Sequence, residues 1–148
     1  MNERSIPRVA LILGLAGLIP FVASALLSLS NDTSEFGLRA LTAYAAVILS
    51  FLGGVRWGVL LVESDRFDRF GPAVISVLPS LLAWLSLLLN AVPMLGLLLV
   101  GLLAQYLIDS GISPVRFGNY FPQWYPRLRL LLSAGAIVCV SVGLYGTM

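Results

Sequence analysis

The sequence contains no histidine, no lysine and a single cysteine in 148 residues, and only 11% of it is charged. Without histidine the chain lacks the commonest metal ligand, the usual haem ligand and the usual general base at neutral pH. Cys139 lies deep in an apolar run, so there is no disulfide framework and no CxxC site. It reads as a small hydrophobe. Phosphate-loop, dinucleotide, zinc-protease and nucleophile-elbow patterns are missing. No cofactor, no metal site and no enzymatic activity are therefore expected. No basic stripe runs along the chain, so nucleic acid is not an expected partner. All nine basic residues are arginine, which fits either compositional drift or a use for bidentate contacts.

What fills the chain instead is apolar: 59% of the residues are hydrophobic. A soluble domain carries about 25% charged residues, so water is not the solvent for most of this surface. Val9–Leu29 is an uncharged run of 21 residues, and a membrane span needs about 20. Residues 38–62 form a second run, interrupted only by Arg56. Residues 70–108 are uncharged for 39 residues. As one helix they would reach about 58 Å, twice the hydrocarbon thickness, so they must turn. Asn90-Ala-Val-Pro93 supplies the turn, with Asn90 suited to a helix C′ position and Pro93 unable to continue a helix. Leu130–Met148 is the last run. The expected architecture is all-α: one polytopic membrane domain over 1–148. It is a bundle of five transmembrane helices near 9–29, 38–62, 72–89, 93–108 and 128–147.

The amino-terminal run also has the look of a signal peptide, with Arg4 and Arg8 before it and Ala23-Ser-Ala25 as a cleavage pattern. Its apolar character continues through Leu26-Leu-Ser-Leu29, which favours an uncleaved helix. Arginine placement sets the orientation. With five spans, Arg4, Arg8, Arg66, Arg69, Arg116, Arg127 and Arg129 all fall on one side, and only Arg39 on the other. The expected location is the bacterial inner membrane, with the amino terminus cytoplasmic and the carboxyl terminus periplasmic or extracellular.

Small residues mark the helix contacts. Thr42, Ala46, Ser50, Gly54 and Gly58 stand four residues apart in the second span and predict a close-packing ridge. Gly135, Cys139 and Gly143 in the fifth span, and Ala16, Pro20, Ser24 and Ser28 in the first, repeat the device. The ridge fits packing within the chain, a homo-oligomer or a membrane-protein partner.

Arg56 is the residue that asks for an explanation. A charge near the bilayer centre costs about 2.5–3.5 kcal/mol on insertion scales. Two readings fit. In one, Arg56 snorkels to the headgroups near Val62, about 9 Å away. In the other it belongs to a buried polar cluster. Gln105 and Asp109, four apart on one face of the fourth span, lie at a similar depth, and Glu63 is a second candidate partner. The segment Ser110–Pro126 holds five aromatics and three prolines and reads as an interfacial belt. With Arg116, Arg127 and Arg129 it reads, more sharply, as a platform for lipid headgroups or a partner.

Three segments carry a family likeness. They are Ile48-Leu-Ser-Phe-Leu-Gly-Gly-Val-Arg-Trp-Gly58, Ser76-Val-Leu-Pro-Ser-Leu-Leu-Ala-Trp84, and Ala104-Gln-Tyr-Leu-Ile-Asp109 followed by Trp124-Tyr125 and Arg127-Leu-Arg129. Together they resemble the bacterial branch of a family of unknown function that includes the mitochondrial transmembrane protein 69. The resemblance implies a five-helix inner-membrane protein and carries over no catalytic residue. The functional expectation is a non-enzymatic integral membrane protein that assembles or stabilises another membrane complex, in contact with the lipid bilayer. The alternative is a small transporter or channel with Arg56 near its polar path.

Overall fold

The computed structural model describes residues 5–62, 70–110 and 121–147. Glu63, Arg66, Arg69 and Arg116 lie outside them. Five helices make up the described structure: α1 (Arg8–Ser28), α2 (Ser34–Val62), α3 (Phe70–Ser86), α4 (Ala91–Asp109) and α5 (Tyr125–Tyr145). Four of them, α1, α2, α4 and α5, are long and apolar enough to cross a membrane; α3 is a shorter apolar helix of 17 residues. Large apolar side chains such as Ile12, Phe36, Phe51, Leu61 and Val138 stand more than 60% exposed. Such a surface suits hydrocarbon, and this is a membrane protein in contact with the bilayer.

The helix bounds follow local chemistry. Pro93 falls in the first turn of α4, where backbone N–H groups need no helical partner. The turn therefore ends earlier than the sequence suggests. Residues 87–89 form it, and Asn90 is the N-cap of α4 rather than the C′ residue of α3; its carbonyl accepts from the Met94 amide at 2.9 Å. At the α1–α2 corner Gly37 lies against the Leu27–Ser28 backbone, an approach that any side chain would block.

α2 touches each of the other four helices. Around it they run in the order α1, α5, α4, α3, with α1 and α3 making no contact with each other among the described residues. This open ring leaves one side of α2 bare. The inward side of α2 carries Thr42, Ala45, Leu49, Leu52 and Arg56, a three-four alternation. α4 repeats it with Leu95, Leu98, Leu102, Gln105 and Asp109, and α5 with Arg129, Ser133, Ala136, Val140 and Gly143. A repeat of 3.5 residues keeps a seam facing its neighbour along the whole helix. Several buried hydroxyls are satisfied within their own helices: Ser28 donates to Ala25 O at 2.7 Å and Ser86 to Ala83 O at 2.6 Å. Tyr44 crosses to α1, donating to Gly17 O at 2.9 Å while its ring meets Phe21 edge-on.

The four-residue ridge of α2 needs correction. Thr42 and Ala46 are buried and Ser50 is half-buried, but Gly54 and Gly58 are exposed with open space beside them. The reason is geometric. Four residues turn 40° past a full circle, so the sixteen from Thr42 to Gly58 wind about 160° around the helix. The ridge starts inside the bundle and ends on the bare side. Gly53 is the packing glycine instead: a Cβ there would sit 2.5 Å from the Ser76 carbonyl oxygen and 3.3 Å from Pro79.

Neighbouring glycines should thus respond oppositely to alanine. Gly53→Ala must push α3 away and should lower stability by about 1–3 kcal/mol. Gly54→Ala meets nothing and should raise it by about 0.5–1 kcal/mol through helix propensity. Thermal unfolding in mild detergent measures both. Equal effects of the two substitutions would overturn the α2–α3 crossing at Gly53.

Candidate functional site

The polar site lies where the three inward seams share one end. Arg56 lies one turn before Leu60, the last buried residue of α2, Gln105 and Asp109 end the α4 seam, and Arg129 begins the α5 seam. Arg56 is 1% exposed. Its Nη1 donates to Gln105 Oε1, and its Nη2 to the Gln105 carbonyl at 3.1 Å and to Asp109 Oδ1 at 2.6 Å. Asp109 turns its other oxygen to α5, where Arg129 Nε donates to Oδ2 at 2.8 Å. The Asp109 side chain is 5% exposed and that of Arg129 8%. One carboxylate thus bridges two guanidiniums drawn from different helices.

The structure brings together Arg56, Gln105 and Asp109; Glu63 lies outside the described residues. The Arg56 side chain runs into the bundle toward α4 rather than out along α2. Arg129 joins the cluster, although its place beside Arg127 predicts an interfacial position for it. Residues two apart on a helix differ by about 200°, so one of the pair faces inward when the other faces out. Arg127 is the exposed one. The signal was available: counting back from Gly143 in steps of three and four reaches Val140, Ala136, Ser133 and Arg129. From the aromatic segment, Phe121 stacks on Tyr125 at 4.3 Å and Trp124 precedes α5 as its N-cap.

Burying three charges is costly, and removing one partner of such a set leaves an uncompensated charge. Asp109 is the shared member, held by two arginines at once. The arrangement is chemically a clamp that sets the relative height of α2, α4 and α5.

Residues 6–145 match the family described as protein of unknown function (DUF3429). The chain belongs to that family. Transmembrane protein 69 of Xenopus tropicalis is similar to it, 40% identical over 137 residues, covering 88% of this chain and 51% of the frog protein. Transmembrane protein 69 of Mus musculus is 34% identical over 146 residues, covering 93% of this chain and 56% of its own length. The chain thus spans about half the length of these relatives. No solved structure matches it. The match to the DUF3429 family takes in all five helices, and so every member of the cluster.

The clamp makes an ordered prediction for stability in detergent. Asp109→Leu strands two cations and should cost the most, about 3–5 kcal/mol. Arg56→Leu should cost less, because Asp109 keeps Arg129. Adding Arg56→Leu to Asp109→Leu should recover part of the loss. Strictly additive effects across this double-mutant cycle would count against the pair.

Proposed function

We propose that the chain is a non-enzymatic membrane protein that assembles with, or stabilises, another membrane protein through the bare side of α2. One observation carries this reading. Val47, Phe51, Gly54, Gly58 and Leu61 are all exposed and follow the three-four alternation along α2. A helix whose outward stripe keeps a 3.5-residue period, with two glycines at its centre, suits a second helix packing along it. Lipid alone asks for no exposed glycine pair, which weakens a helix and gains no contact in return. The open ring supports the same reading, since α1 and α3 leave the stripe reachable from the bilayer. The non-enzymatic part rests on the scarcity of ionisable groups and on the engagement of Asp109 with two arginines. That engagement, with Arg56 1% exposed, also disfavours a transport path along Arg56.

The finer topology belongs to this proposal. α3 is 17 residues long, about 26 Å, at the lower limit for a span. The short turn 87–89 joins it to α4, and the two helices pack on each other. If α4 crosses the membrane, α3 starts at the same face and crosses back. Five crossings put the amino terminus and most arginines on the cytoplasmic side of a bacterial inner membrane. Reporter fusions at residues 66 and 120 should then read as cytoplasmic and those at 33 and 90 as external. Reporters at 33 and 66 on the same side would sink this topology.

The assembly reading is tested by purifying the tagged native protein in mild detergent with identification of what accompanies it. A membrane protein should co-purify, and Gly58→Leu should remove it while the unfolding temperature of the chain itself stays unchanged. A second copy of the chain in its place would make the seam a homo-oligomer contact. Unchanged association after Leu substitution at both Gly54 and Gly58 would show that the seam faces lipid.

A further inference from the structure

Arg129 uses only part of its guanidinium in the clamp. Nε is bound to Asp109, but Nη2 is buried and has no hydrogen-bond partner among the described residues. Its carboxylate is shared with Arg56. A buried, charged donor without an acceptor is unfavourable, and the missing partner is an anionic oxygen. The same side chain lines a cavity of about 190 Å³ between α1, α2 and α5. The walls are Leu13, Leu18, Phe21, Phe51 and Leu132, and Gly14 and Gly17 make the room on the α1 side. Ser133, one turn further along α5, is the other polar side chain on the lining. A cavity of this size with apolar walls takes apolar groups rather than water. It is too narrow for a helix, which needs about 10 Å.

We propose that this cavity holds one acyl chain of an anionic phospholipid, with the lipid phosphate accepting from Arg129 Nη2. The depth of the anchors supports a phospholipid over a free fatty acid. Arg129 lies four residues into α5, about 6 Å along the axis from the interfacial Trp124-Tyr125 pair. That is the level of a phosphate. Ser133 lies about 6 Å deeper, where the ester carbonyl of a phospholipid follows its phosphate. A fatty acid carries one polar group and would leave one of the two unused. Arg129 thus joins two tasks, bracing Asp109 on one edge of its guanidinium and receiving lipid on another. The inference does not depend on a protein partner, and its residues on α1 and α5 are separate from Gly54 and Gly58.

The test uses the full chain, stripped of lipid in detergent and titrated with dioleoyl phosphatidylglycerol, dioleoyl phosphatidylcholine or oleate. Native mass spectrometry counts the bound lipid, and thermal unfolding reports its effect. Both phospholipids offer the phosphate, but two arginines on one carboxylate leave the cluster with a net positive charge that the choline cation opposes; phosphatidylglycerol should therefore bind about tenfold tighter than phosphatidylcholine. Arg129→Gln should bring the two lipids to equal affinity. Because Arg129→Gln also weakens the clamp, Gly17→Leu supplies the independent variant. Its side chain enters the cavity, where a Cβ meets nothing closer than Tyr44 Oη at 3.8 Å. It should abolish lipid binding without lowering the unfolding temperature of the lipid-free protein. Equal binding of the two phospholipids to the unsubstituted chain would overturn the proposal, as would undiminished binding to Gly17→Leu. Oleate displacing phosphatidylglycerol at equal concentration would overturn the assignment to a phospholipid.

Discussion

The Asp109 carboxylate, gripped by Arg56 from α2 and Arg129 from α5, is the contact on which the arrangement of the other parts depends. Apolar helices in a bilayer gain little from meeting one another, because lipid tails are as apolar as leucine. The seams of α2, α4 and α5 are built largely of Leu, Ala, Val, Ser and Gly, and such seams could slide by a turn with modest loss. A shift of one turn at the polar end would separate charges in hydrocarbon. The cluster therefore fixes register, a task for which a polar group in an apolar seam is well suited. It also fixes which helices must be neighbours, since α2, α4 and α5 have to converge at one height.

Much of this was legible in the chain itself. The apolar runs marked the helices, and the length of the 70–108 run required the hairpin. Arg56 was tied to Gln105 and Asp109 by depth alone, because both spans run toward the same face. Two features are not legible from spacing alone, because helical phase drifts along the chain. A four-residue step looks like a straight line over two turns and becomes a spiral over four, so Gly54 and Gly58 were placed with Thr42 when they lie nearly opposite. Arg129 stands close to Arg127 in the sequence, yet residues two apart on a helix differ by about 200° and cannot share a face. The position of Asn90 was ambiguous locally: Asn suits the end of one helix and the start of the next, and Pro93 decides between them only through its tolerance in a first turn.

Membership of the DUF3429 family bears on where function resides. The matched stretch runs from before α1 to the end of α5, while the chain covers 51% and 56% of the two transmembrane protein 69 relatives. The clamp, the outward stripe of α2 and the Arg129 cavity all lie within the residues 6–145 that match the family.

The clamp has a consequence for how the protein is made. Asp109 follows Arg56 by 53 residues. At about 5–20 residues per second of synthesis, α2 is complete for about 3–10 s before its counter-charge has left the ribosome. Throughout that interval an arginine that later sits 1% exposed has neither Asp109 nor Gln105 beside it. α2 must then wait in the protein-lined exit of the insertion machinery, or enter the bilayer shallowly and sink when α4 arrives. Full burial of Arg56 thus waits for a residue two helices downstream.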